Sequence, residues 1–118
     1  MNIGAPVKYN LILTEKLVKY FDCYYTKNLF GEIVIVMSAT LKSNEDPLQS
    51  GSRVATLPEG FRPATTIEVP CVVGALDLFD RKPGTIGIDT SGALTVFSGQ
   101  MSNISHVFFS CIFSTGNY

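Results

Sequence analysis

The heptapeptide Leu57-Pro58-Glu59-Gly60-Phe61-Arg62-Pro63 lies between two apolar runs of β type, residues 33–41 before it and 67–73 after it. Pro58 and Pro63 fix φ and supply no N–H, so neither can occupy a central strand. Gly60 admits a positive φ that most residues avoid. The segment therefore forms a rigid corner between strands, not a catalytic loop. Phe61 is expected to anchor that corner in the core. Arg62 is placed to hold carbonyls or a carboxylate across the corner, or else to face a neighbouring chain.

Alternation with a period of two dominates from Phe21 onward. Phe21, Cys23 and Tyr25 share one face of a strand; Ile33, Ile35, Met37, Ala39 and Leu41 share another. Val34 and Val36 make the opposite face of that second strand apolar as well, which predicts cover on both sides. Ile67, Val69, Cys71 and Val73 form a third inward row, with Pro70 marking an edge position or bulge. Val107, Phe109, Cys111 and Phe113 form the last. Arg81-Lys82-Pro83-Gly84 has the composition of a β-turn. Thr90-Ser91-Gly92 closes a tight hairpin between residues 85–89 and 93–97. The long loops are residues 42–52 and 98–105, and the weak helical signal over residues 14–20 fits an extended segment equally well. About eight strands at this spacing predict an all-β, antiparallel β-sandwich or jelly roll. A chain of 118 residues suits one such domain. Residues 19–118 are assigned to it, and residues 1–18 to an N-terminal linker or an exchanged strand.

Composition bounds the function. Net charge is −1 with no basic run, so a nucleic-acid footprint is not expected. No apolar run reaches the length of a membrane helix. Residues 1–8 lack the pattern of a signal peptide, so folding in a cytosol is expected. Charged residues are only 16%, below the usual quarter. Either a partner covers part of the surface, or the loops are polar without charge. The three cysteines, Cys23, Cys71 and Cys111, sit in apolar strand patterns without a CxxC pair and beside a single histidine, so no metal site and no cofactor is expected.

Catalytic constellations are not assembled at sequence level. His106 is the one histidine, Ser102 and Ser105 precede it, and no GxSxG elbow exists. Glu45 with Asp46, and Asp77 with Asp80, read as solvated loop charges, since nothing fixes the separation a glycosidase pair needs.

The order of these pieces carries a resemblance. A Tyr-rich strand over residues 20–26 is followed by the apolar strand 32–41 and the Gly-bearing loop 44–51. Next come the corner, the strand 66–73, the hairpin Gly84-Thr85-Ile86-Gly87-Ile88-Asp89-Thr90-Ser91-Gly92 and the aromatic strand 106–113. Over roughly residues 20–115 this resembles the distal β-domain, receptor-binding head or baseplate, of tail proteins from phages of Gram-positive bacteria. The chain departs from that family in having no Trp, and no Gly-X-Y or heptad pattern of a trimerising neck is seen in the residues before 20. The resemblance implies a virion tail-tip or baseplate location and a homotrimer. It also implies non-catalytic recognition of a host cell-wall saccharide. Sugar sites need planar polar side chains, often beside an aromatic ring. Asn44, Asp46, Asp80, Arg81, Gln100 and Asn103 in loops qualify, with Tyr24 and His106 at strand positions. The alternative is a structural domain that docks another phage tail protein and binds no sugar.

Overall fold

The computed structural model describes residues 7–75, 80–101 and 103–116. Nine strands and no helix are present among them: β1 (Tyr9–Asn10), β2 (Ile12–Leu13), β3 (Leu17–Lys27), β4 (Glu32–Leu41), β5 (Ser52–Thr56), β6 (Ile67–Gly74), β7 (Arg81–Ile88), β8 (Ala93–Phe97) and β9 (His106–Ser114). All pairings are antiparallel and all strands belong to one sheet, in the order β1-β3-β4-β9-β6-β7-β8-β5-β2.

The expected sandwich is therefore corrected to one nearly closed, barrel-like sheet, and about eight strands to nine. The physical reason lies at two junctions. The blocks that a sandwich would separate, β1-β3-β4-β9 and β6-β7-β8-β5-β2, stay joined where Val72, Val73 and Gly74 pair with Phe108, Val107 and His106. On the far side a strap over residues 9–13 joins them again. Tyr9 and Asn10 pair with Tyr25 and Tyr24 of β3, whereas Ile12 and Leu13 pair with Thr56 and Ala55 of β5. Leu11, between the two, turns inward with 6% exposure and donates its N–H to the Cys23 carbonyl at 3.1 Å. Residues 9–13, expected as linker or exchanged strand, thus pair with this chain's own sheet.

The inward rows fill the barrel. Ile33, Ile35, Met37, Val54, Leu57, Val73, Ile86, Ile88, Leu94, Val96, Ile104 and Val107 are almost wholly buried. Burying one such side chain contributes about 1.5–3 kcal/mol. Phe21 departs from its expected row: it is 67% exposed, although Cys23 and Tyr25 are buried. A register shift between Lys19 and Cys23 inserts an irregularity within which Phe21 turns outward, while Leu17 beyond it is buried again. Val34 and Val36 are half-buried on the outer face.

Arg81-Lys82-Pro83-Gly84 is not a turn. These residues open β7, paired with Gly74, Val73, Val72 and Cys71 of β6. Pro83 is tolerated there because β8 pairs with β7 only from Thr85 onward, so no ladder bond is lost on that side.

The corner is tied by backbone and side-chain hydrogen bonds. The Phe61 N–H donates to the Pro58 carbonyl at 3.2 Å, and Gly60 takes φ of 93°, the arrangement of a type II turn. Arg62 Nε donates to the Leu57 carbonyl at 3.0 Å, and the Leu57 N–H donates to the Gly92 carbonyl at 2.8 Å. Arg62 therefore serves the corner. Phe61 is half-buried rather than sunk in the core; its ring meets Tyr25 edge-on at 5.0 Å and Tyr9 at 5.5 Å.

The hairpin after β7 is pinned by Asp89. Its Oδ1 accepts from the Ser91 hydroxyl at 2.6 Å and from the N–H groups of Ser91 and Ala93 at 2.9 and 3.1 Å. The Ser91 hydroxyl, followed by these backbone donors, holds the carboxyl below the usual aspartate range. A depressed folded-state pKa contributes stability that is complete above the unfolded pKa and is lost as pH falls through the folded one. Asp89→Ala is expected to cost about 1 kcal/mol in urea unfolding at neutral pH, a value already reduced for solvent screening. The variant and parent curves should converge in acid.

Candidate functional site

The register places most sequence-predicted site residues at one end of the barrel. β4, β6 and β8 finish there, and β5, β7 and β9 begin there. The corner and the Asp89 hairpin occupy the opposite end.

Two long loops form the rim. They lock together through Leu48 and Ile104, both buried, whose N–H and carbonyl groups bond reciprocally at 2.8 Å. Gln49 Nε2 donates to Asn103 Oδ1 at 3.3 Å on the surface above them. Asn44 and Asp46 are exposed in the first loop, and Asn44 takes a left-handed φ of 67°, a conformation asparagine tolerates. Gln100 is exposed in the second. Ser102 and Asp77 lie outside the described residues.

A second group lies across the adjoining strands. Thr40, His106, Gly74 and Arg81 are neighbours in register on β4, β9, β6 and β7. The His106 ring is 8% exposed, 2.7 Å from Thr40 Oγ1 through Nδ1 and stacked on Phe108 at 6.1 Å. Arg81 lies over the other part of the same surface, its guanidinium carbon 5.1 Å from the Phe108 centroid. Gly74 permits this: a Cβ there would stand 3.3 Å from His106 Cδ2. His106 is thus a packed residue under the rim rather than a presented one. Asp80 pairs with Lys82 at 3.7 Å, a solvated contact of little energetic weight. Tyr24 lies away from this group; it pairs with Val36 and Asn10 nearer the corner end, under the Lys8 ammonium at 4.7 Å.

The structure adds a feature that the sequence reading missed. A shallow groove runs along the outer side of the sheet where β8 leaves β7, lined by Ser50, Pro83, Thr85, Phe97, Ser98 and Gln100. Of these, only Gln100 stood among the candidates. The sequence holds an aromatic at 97 and a glycine at 87, but that the ring lies beside that glycine follows only from the register, in which Phe97 pairs with Thr85 and Gly87 with Thr95.

The thiols are not activated. Desolvation pushes Cys71 and Cys111 up to about 11, and burial raises Cys23, whose Sγ–H points to the Ser38 carbonyl at 3.3 Å. Among the described residues no group of three or more His, Cys, Asp or Glu side chains is arranged to hold a metal ion.

No family model matches the sequence, and no curated protein does so. Among solved structures the fold has a counterpart. The chain is similar to the head domain of lactococcal phage bIL170, whose structure was described in asking whether the receptor-binding domains of lactococcal phages share a common fold. The two superpose with a TM-score of 0.68 over 93% of this chain and 98% of that one, at 12% sequence identity. Identity that low speaks for the fold alone, and the fold that this chain shares is that of a phage receptor-binding head.

Proposed function

We propose that this chain is the receptor-binding head of a phage tail protein, carried at the tail tip or baseplate and folded in the host cytoplasm before assembly. It recognises a host cell-wall saccharide without catalysis and works as a homotrimer. The observation that carries this reading is the near-complete overlap with the bIL170 head domain. The gathering of exposed polar residues at one end supports it: Asn44, Asp46, Asp80, Arg81 and Gln100 are the contacts, and His106 braces them from below. The trimer is supported by the outer sheet face. Tyr20, Phe21, Val72 and Ile112 are 43%, 67%, 38% and 60% exposed there, apolar side chains that an interface between copies would cover.

A second reading, docking on another tail protein without sugar, is favoured by the turn after β3. Leu29 and Phe30 are 85% and 70% exposed on a turn stiffened by Asn28 Oδ1, which accepts from the N–H groups of Phe30 and Glu32 at 2.8 and 3.0 Å.

Pull-down by intact Gram-positive cells and by purified wall polysaccharide tests the proposal. Single sites should bind at roughly millimolar to micromolar affinity and gain from multiple copies. Replacing Asp80 and Arg81 together by Ala should lower cell binding while the oligomer, followed by light scattering, persists. A parent protein that binds no wall material, yet forms a tight complex with another tail protein, decides for docking.

A further inference from the structure

We propose that the groove beside Phe97 is a binding site for an uncharged pyranose ring and that it is complete within one chain. This deepens the receptor-binding reading and rests on it.

The groove arises from the way two strands part. β7 and β8 pair from Ile88 and Leu94 up to Thr85 and Phe97. Beyond Phe97, Pro83 has no N–H to offer, and the chain turns away as Ser98-Gly99-Gln100. The gap does not collapse, because hydrogen bonds hold its rim open. The Ser98 N–H donates to Ser50 Oγ at 3.0 Å, the Ser98 hydroxyl to the Pro83 carbonyl at 3.3 Å, and the Gln100 N–H to Ser98 Oγ at 3.3 Å. A sheet that splits in this way leaves a shallow groove edged by polar groups, with the aromatic side chain of Phe97 at its border.

Phe97, 43% exposed, stands between this groove and a second hollow lined by Thr66, Glu68, Gly87, Asp89 and Thr95. Its ring is carried against Gly87: a Cβ at that glycine would stand 3.3 Å from Phe97 Cε2. At Gly84 a Cβ would come within 2.8 Å of the Phe97 carbonyl oxygen, so a side chain there would disturb the strand that carries the ring. The ring thus lies against bare backbone at Gly87, and contact of that kind lowers the ordering needed when a ligand arrives.

The chemistry of the lining selects the ligand. On the Ser98 side none of the lining residues, from Gln49 and Ser50 to Gln100 and Met101, is charged; on the Gly87 side the Phe97 ring borders Glu68 and Asp89, which are anions and not cations. A phosphate or carboxylate would find no cation within the groove, whereas anion recognition draws on charge-assisted bonds. The negative face of an aromatic ring instead attracts the weakly positive C–H edge of a sugar. Ser50, Thr85 and the Gln100 amide surround it with hydroxyl and amide groups of the kind that bond equatorial sugar hydroxyls.

Saturation-transfer NMR on the full chain tests this. The probes are the methyl glycosides of glucose, rhamnose and N-acetylglucosamine, with glycerol 1-phosphate as the charged comparator. At least one neutral glycoside should receive saturation at its ring C–H protons, with a dissociation constant of about a millimolar. Phe97→Ala should weaken it at least tenfold (about 1.4 kcal/mol), Phe97→Trp should restore it, and glycerol 1-phosphate should stay silent. Gln100→Ala, at an exposed rim position, should also weaken binding and keeps the test open if Phe97→Ala does not fold. The inference is overturned if the parent protein binds host cells but no neutral glycoside, if glycerol 1-phosphate binds better than all three, or if folded Phe97→Ala binds like the parent. In each of those cases the receptor-binding reading survives. Failure of the parent to bind cells as well as glycosides removes both.

Discussion

Gly92→Ala is expected to lower the melting temperature by roughly 10 °C or more. Gly92 takes φ of 89°, where any other residue pays about 1–2 kcal/mol. Its added Cβ would also collide with the Leu57 carbonyl oxygen and stand 2.7 Å from Arg62 Nε. Relief requires the corner to move. That movement strains the Leu57-to-Gly92 backbone bond and the Arg62-to-Leu57 bond, each contributing about 1 kcal/mol. Together these effects come to about 3–4 kcal/mol. Gly60→Ala is the control: its φ is 93°, but a Cβ there meets nothing within 4 Å. It should cost only the conformational part, about 1–2 kcal/mol. Thermal unfolding of both variants separates the two effects, and equal melting temperatures would mean that the corner and the Asp89 hairpin are not locked together.

Leu11→Asp should be more damaging still, at about 4 kcal/mol or more. Leu11 stands between β1 and β2 with its side chain in the core, and an aspartate there has no cationic partner among the packed residues. Its neighbour Ile12 is 57% exposed, so Ile12→Asp should change stability by less than about 0.5 kcal/mol. Urea titration at neutral pH reads the contrast directly. If the two variants share a midpoint, the strap is not docked on the barrel in solution.

Much of the fold was legible because its central strands obey a simple alternation. Ile33 through Ala39, Cys71 with Val73, and Val107 with Phe109 and Phe113 face inward as their spacing predicts. The corner was legible because proline and glycine act locally. Expectation failed where a non-local fact prevailed. Phe21 fits the row of Cys23 and Tyr25 until the register shift before Cys23 turns it outward. Pro83-Gly84 has turn composition, yet the departure of β8 makes an extended proline cheap at that place. The strap is two strands of two residues each, too short to carry any periodicity, and its pairing partners lie far away in sequence. The candidate site was legible only in part. Asn44, Asp46, Asp80, Arg81 and Gln100 could be picked out as loop or strand-end polar residues, but no local signal distinguishes an exposed loop residue from His106, which packs beneath it. The Phe97 groove stayed hidden because it is a gap between strands, and a gap has no residues of its own.

The strap has a consequence for how this protein fails. A sheet of this size normally presents two unpaired edges, each a template for another chain. Here residues 9–13 pair with Tyr24 and Tyr25 on the free side of β3 and with Ala55 and Thr56 on the free side of β5 at once. Local detachment of a few residues therefore bares two edges in a single event, while the rest of the barrel stays folded. Loss of soluble protein on warming should then begin below the global unfolding transition and depend steeply on concentration. Anchoring the strap, rather than improving the core, is the direct route to a preparation that survives crowding at high copy number.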